Sequence, residues 1–241
     1  MFGIFRALKR RRLWRRPFPA SWLPYLEGNV PFFAELNAAD RQRFCELLKI
    51  FVWEKHFIEA GGMTITDEVK VVIAAAAVRL VLRLDLSCYD RLTEIVVYPT
   101  HIVDGEEDGV IFGLAQDWGT VVLSWQAVVD GLRNPDDGHD TATHEFAHVL
   151  DRADGAFDGT PELRAHSHYG PWAQVMSENF LALRAGKRRQ RRVVRRYGAQ
   201  NEAEFFAVAT ESFFEKPNQM KKRTPKLYAE LARYYGVDPA E

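Results

Sequence analysis

Cysteine is nearly missing from this chain. There are two in 241 residues, Cys45 and Cys88, far apart and without metal-ligand spacing. That speaks against a disulfide framework and fits a reducing compartment, so a cytoplasmic location is expected. Long apolar runs are missing too. The longest, Val69 to Leu84, is interrupted by Lys70, Arg79 and Arg83, the mark of a core helix and not of a membrane span. No signal-peptide pattern is read, because the basic start runs into Pro17 and not into an apolar stretch. A net excess of charge is also lacking, at −1, but the balance is uneven: residues 1–16 hold seven Lys/Arg and no acid, leaving 25 basic against 33 acidic residues in the remainder. A body this acidic does not read as a nucleic-acid binder. The basic run Lys187 to Arg196 has no interleaved aromatics and is read as a solvated charge run, not as a phosphate-binding strip.

What is present is an ordinary globular composition, 47% hydrophobic and 27% charged, in a chain long enough to bury a substantial core. Residues 1–20 are expected to form a flexible basic segment. An amphipathic helix on an anionic membrane surface is the alternative reading of residues 1–16. Residues 21–241 are expected to form one domain, helical over 21–90, with the chemistry in 91–241. Asn37 or Asp40 starts a helix that runs to about Phe51, with Phe44, Leu47, Leu48 and Phe51 inward. Phe57 to Gly62 reads as a turn. Thr66, followed by Asp67 and Glu68, opens a long helix over Val71 to Leu84, whose run Ala74 to Ala77 implies close packing. From Leu92 the period changes: Ile95–Tyr98, Val110–Leu114 and Thr120–Trp125 are short β-rich runs. The acidic stretch Asp104 to Asp108 lacks the ligand spacing of a calcium loop and reads as a solvated turn. The third run, as an edge strand, is suited to pairing with an extended peptide.

The residues that carry chemistry begin at His144-Glu145-Phe146-Ala147-His148. On a helix, residues four apart share a face, so both imidazoles can aim at one point where a zinc ion would sit at ~2.0–2.1 Å from each ring nitrogen. Glu145 is displaced by one position, which places it beside the metal as a general base for a bound water. Asp140 or Thr141 caps this helix and Gly155 ends it. Asp151, three residues past His148, shares the histidine face and is a candidate to accept a ligand's second ring N–H; a plain helix-end Asp is the alternative. His139, His166 and His168 read as surface residues. A catalytic zinc takes three protein ligands and keeps one position open. The third is sought in the helix of Tyr197 to Glu211, where Glu202, Glu204 and Glu211 compete. Glu204 and Glu211 fall on nearly one face, Glu202 on another, and spacing alone does not choose.

These blocks resemble a known family. His144 to Asp151, then Tyr197, then Glu204-Phe205-Phe206-Ala207-Val208 with Glu211 and Phe213-Phe214, look like the Mlc titration factor A family. The likeness extends more loosely from about Leu23 onward. That family consists of zinc metallopeptidases similar at the active site to the catalytic domain of anthrax lethal factor. The resemblance implies an α+β, mostly helical, zincin-like fold with a small β-sheet beside the His-Glu-x-x-His helix. It implies one zinc per chain held by His144, His148 and Glu204, with Glu145 as base and Tyr197 stabilising the oxyanion. It further implies peptide or protein substrates, aminopeptidase-type cleavage and a transcriptional repressor of the Mlc kind as partner. The toxin domain has a Glu four residues after its ligand Glu; Val208 stands there in this chain, so Asp151 and Glu211 are the candidates for outer support. The rival reading is a regulatory binding protein that sequesters a partner and uses zinc structurally. The intact Glu145 favours chemistry, since a structural site needs no base.

Overall fold

The computed structural model describes residues 2–100, 119–134 and 138–240. The expected strand Val110–Leu114 and the acidic stretch Asp104–Asp108 lie outside the described residues. Two compact units are present: Met1–Leu82 with Leu92–Arg133, and Arg83–Arg91 with Asn134–Glu241. Among the described residues the chain is mostly helical with one small parallel sheet, as the α+β expectation requires. Among the described residues no helix is long and apolar enough to cross a membrane.

In the first unit the chain runs α1 (Phe2–Trp14), α2 (Leu23–Asn29), α3 (Phe32–Glu35), α4 (Ala38–Glu54), β1 (His56–Glu59), α5 (Asp67–Leu80), β2 (Glu94–Tyr98), β3 (Thr120–Ser124) and α6 (Trp125–Arg133). Asn37 starts α4 by accepting hydrogen bonds from the Ala39 and Asp40 N–H groups, and Thr66 starts α5 by accepting from Val69. Each cap satisfies donors that a helix leaves unpaired in its first turn. The four alanines of α5 are completely buried and so is Val71 to Ile73, which lets α4 and α2 pack closely on it. Phe44, Leu47, Leu48 and Phe51 of α4 are buried as their spacing predicts.

Three local expectations change. The basic segment expected to be flexible is helical as α1. Its Arg10 guanidinium bonds the Glu54 carboxylate at 2.9–3.2 Å, and the buried Lys49 ammonium donates to the Trp14 carbonyl at 2.9 Å and to that of Arg16. An isolated 13-residue helix is marginal in water, so these tertiary partners, invisible locally, decide the outcome. Phe57 to Glu59, expected in a turn, belong to β1, because Phe57 and Ile58 pair in parallel with Ile95 and Val96 of β2. Strand β3 pairs in parallel with β2 and ends at Ser124. Its hydroxyl accepts from the Ala127 N–H, so Trp125 opens α6 instead of extending the strand.

The second unit contains α7 (Thr141–Asp151), α8 (Tyr169–Arg184), α9 (Arg188–Arg191), α10 (Glu202–Glu215), α11 (Pro217–Arg223) and α12 (Pro225–Tyr235). Helix α10 is apolar on nearly every side, and from Phe205 to Phe214 all its residues are buried. Such a helix must lie at the centre of its unit. Trp172 of α8, Phe206 of α10 and Tyr234 of α12 form an edge-to-face cluster with ring centroids 5.6–6.1 Å apart. On α10, Phe213 stacks on Tyr235 at 5.6 Å, and Thr210 shares a 2.8 Å hydrogen bond with the buried Tyr235 hydroxyl. Helix α7 packs along α10, and its Phe146 meets Tyr89 at 5.8 Å. This pairing of α7 with α10 builds the site.

Candidate metal centre

Two caps set the register of the site. Asp140 accepts from the Thr143 N–H at 2.9 Å and starts α7, which brings His144 and His148 one turn apart on one face. Asn201 accepts from the Glu204 N–H at 2.9 Å and starts α10, which places Glu204 in the first turn. The expected helix over Tyr197 to Glu211 therefore begins later, and Tyr197 stands in the short 3-10 turn Arg196–Ala199 before it. A third approach is made by Gly159, at φ +77°; a Cβ there would lie 2.4 Å from the Glu202 carbonyl oxygen, so only glycine lets the loop after α7 touch the start of α10.

Three donor atoms converge. The Nε2 atoms of His144 and His148 are 3.1 Å apart, and Oε2 of Glu204 lies 3.1 Å from the first and 3.4 Å from the second. Among the described residues these three form the one group of histidine, cysteine and carboxylate side chains with metal-binding spacing. Ligand atoms held tetrahedrally at ~2.0–2.1 Å from an ion are separated by about 3.3–3.4 Å, so the spacing fits. Oε2 of Glu204 is buried and makes no hydrogen bond, although two ring nitrogens are near. Its approach suits an ion between the three atoms better than a proton between two. Two imidazoles and one carboxylate are also a donor set that a catalytic divalent metal takes. Both cysteines stand outside the group, and burial pushes each thiol up to about 11.

The charges explain one another. Burial pulls the His144 ring towards neutrality, but the Glu204 and Glu211 carboxylates beside its two nitrogens outweigh it and raise its pKa. Burial lowers the His148 pKa, with Glu204 pulling the other way. Glu204, also penalised by burial, is held below the ordinary carboxylate range by the two histidines. Glu145 is buried and outside the triad. Burial pushes its carboxyl up to about 7; His144 pulls it down, while Glu204 and Glu211 add to the rise. A carboxylate near neutrality has the basicity that proton transfer at physiological pH needs.

The side chains around the triad are unequal. Glu211, two turns after Glu204, is 1% exposed; its Oε1 lies 2.8 Å from Nδ1 of His144. It thus sits where an acceptor orients a metal-binding histidine and fixes its tautomer. The Arg195 guanidinium donates to both Glu211 oxygens at 2.6 and 2.8 Å, and the Asp140 N–H donates to Oε2 at 2.9 Å. Asp151 holds a backbone donor. Its Oδ2 accepts from the Gly159 N–H at 3.0 Å, so this carboxyl braces the loop that reaches α10. Tyr197 is 44% exposed, with its ring 5.8 Å from that of His144. Glu202 is exposed and apart from the triad, and neither His166 nor His168 joins it. Two neighbours escaped the sequence reading. Arg195 belongs to the run taken as a solvated charge strip, yet it turns inward onto Glu211. Phe157 places its ring 5.1 Å from that of His148, with the Arg152 guanidinium 3.9 Å from the Phe157 ring centre. Neither residue has a spacing signal; an exposed aromatic after a helix-stop glycine was the available hint.

Known proteins are similar to this chain along most of their length. A protein of Synechocystis sp. is 36% identical over 96% of this chain and 89% of its own. Proteins named Mlc titration factor A from Yersinia pestis and Yersinia pseudotuberculosis are 27% identical over 94% of this chain and 90% of theirs. Residues 5–236, which include the whole triad and its supports, match the family described as glucose-regulated metallo-peptidase M90. The chain belongs to that metallopeptidase family.

Proposed function

We propose that the second unit is a zinc-dependent peptidase that hydrolyses peptide bonds in peptide or protein substrates, with the aminopeptidase-type mode that the family resemblance implies. The observation that carries this reading is the convergence of three donor atoms at 3.1–3.4 Å with a buried carboxylate, Glu145, beside them and outside the set. His144, His148 and Glu204 would hold the ion. Zinc, when bound, supplies Lewis acidity that polarises the peptide carbonyl and acidifies the attacking water. Glu145 accepts the proton of that water and returns it to the leaving amine. Tyr197 donates its O–H to the carbonyl oxygen as negative charge develops; losing such a donor costs about 3 kcal/mol in the transition state. Burial, with Glu204 and Glu145 nearby, raises the Tyr197 pKa, so the phenol keeps the proton it must donate.

Glu145→Gln keeps size and hydrogen bonding but removes the base. Turnover of a peptide library should fall by ~10²–10⁴ while zinc content stays at one per chain. Cleavage near the wild-type rate would sink the mechanism. The Yersinia relatives are named for titrating Mlc, and a transcriptional repressor of that kind is the regulatory partner we infer for this chain. Binding of purified Mlc-type repressor should survive Glu145→Gln, since recognition of a folded partner needs no base. Absence of binding by the wild type would remove the partner and leave the peptidase reading intact.

A further inference from the structure

The outward face of α1 takes no part in the metal centre. At 3.6 residues per turn, Phe5, Leu8, Lys9 and Arg12 fall within one arc of about 100°. Phe5 is 67% and Leu8 57% exposed; Trp14, at the end of the helix, is 47% exposed. Lys9, Arg11, Arg12 and Arg15 are exposed around them. The other side of the helix does the anchoring: Leu13 is buried, Arg10 is paired with Glu54, and Lys49 holds the carbonyls of Trp14 and Arg16. The helix is thus fixed to its unit through one face while an apolar pair ringed by cations points outward.

Charge selects the occupant. The outward side presents Lys9, Arg11, Arg12 and Arg15, and the first 16 residues hold no acid, so the surface calls for an array of anions. A nucleic-acid backbone would satisfy the cations but gives Leu8, which has no aromatic face, nothing to stack on or enter. An anionic bilayer answers both features, with phosphates for the cations and an acyl boundary for the apolar pair. We propose that α1 docks this protein on anionic lipid bilayers, with Phe5 and Leu8 entering the headgroup–acyl boundary and Lys9, Arg11, Arg12 and Arg15 lying among the lipid phosphates.

The test is co-sedimentation of the full chain with vesicles of phosphatidylcholine alone or with equimolar phosphatidylglycerol. Binding should be at least ~10-fold tighter to the anionic vesicles and should weaken as salt rises. Two double variants, Phe5→Ser with Leu8→Ser and Lys9→Glu with Arg12→Glu, should each weaken it by ~10-fold or more, at unchanged melting temperature because all four side chains are outward. Equal binding to both vesicle types, or none to either, overturns the proposal. So does loss confined to the charge variant with the serine variant binding like wild type, which would make the face a polyanion site without insertion. The wild-type vesicle comparison stands even where a variant fails to fold.

Discussion

The two histidines of the triad are held in different ways. His144 is clamped from behind: Nδ1 meets Glu211, which is fixed in turn by Arg195 and the Asp140 backbone. Among the described residues His148 has no such partner. Its Nδ1 is buried without a hydrogen bond, and its neighbour is the half-exposed ring of Phe157. One histidine is oriented by charge and hydrogen bonds, the other by its place on α7 and by an aromatic contact. The geometry of the site is therefore set mainly from the α10 side, because Glu204 and Glu211 on that helix address both nitrogens of His144.

The largest effects should come from breaking the stronger half. Glu204→Ala removes a proposed ligand and should strip most of the metal, as read by metal analysis after dialysis. Glu211→Ala leaves the triad complete but frees the His144 ring; metal affinity should fall ~10–100-fold. Equal retention in both variants would show that neither helix-α10 carboxylate governs the site. Arg195→Ala acts one step further out. It leaves the Glu211 carboxylate at 1% exposure without its cation, and breaking a buried pair costs about 3–5 kcal/mol. Arg195 itself is partly exposed, so the loss should lie below that range, measured by denaturant unfolding of the metal-free protein. Stability equal to wild type would mean that His144 and the Asp140 N–H together satisfy Glu211.

The stronger half was also the less legible one. His144, Glu145 and His148 follow from spacing on a helix, and the caps at Asn37, Thr66 and Asp140 follow from residue type next to a periodic run. Glu204 and Glu211 could be placed on one helical face, but which of them joins the Nε2 atoms of the two histidines depends on how α10 packs against α7. Family resemblance, not periodicity, separated them. Arg195 was hidden because a guanidinium in a basic run looks the same whether it faces water or a buried carboxylate. Strand β1 was hidden for a related reason: its partner lies more than thirty residues away and pairs in parallel, so no local turn announces it. Asp151 was read as a candidate acceptor for a ring N–H, and the donor its Oδ2 holds is the Gly159 N–H, which spacing along the helix does not announce.

Asp151 supplies the pH-dependent test. Burial pushes its carboxyl up to about 7; the Gly159 N–H opposes this, and the neighbouring Asp158 adds to it. A carboxyl raised on folding binds a proton in the folded state while the unfolded chain, at ~3.9, has released it. Its contribution to stability is therefore complete at low pH and is lost as pH rises from about 4 through 7. Wild-type unfolding free energy should carry a downward slope over that window, at most about 1.4 kcal/mol per pH unit from this group. Asp151→Asn should flatten the slope and gain on wild type towards pH 7. Parallel curves for the two proteins would show that the carboxyl is ionised in the folded state.

The smallest effect is expected from Phe157→Ala, on the weaker half. The ring lies against His148 and carries the Arg152 guanidinium on its face, so it restrains one histidine without a hydrogen bond. Aromatic contacts of this kind contribute about 0.5–1.5 kcal/mol, a 2- to 10-fold change in affinity at most. Phe157 is 41% exposed, which favours the lower end. Metal affinity of Phe157→Ala, measured by chelator competition, should therefore drop far less than that of Glu211→Ala. The double variant should depart from additivity, because the two histidines involved touch each other and converge on one site. A Phe157→Ala loss as large as that of Glu211→Ala would mean that His148 depends on the ring as much as His144 depends on its carboxylate. The asymmetry would then be one of chemistry only and not of strength.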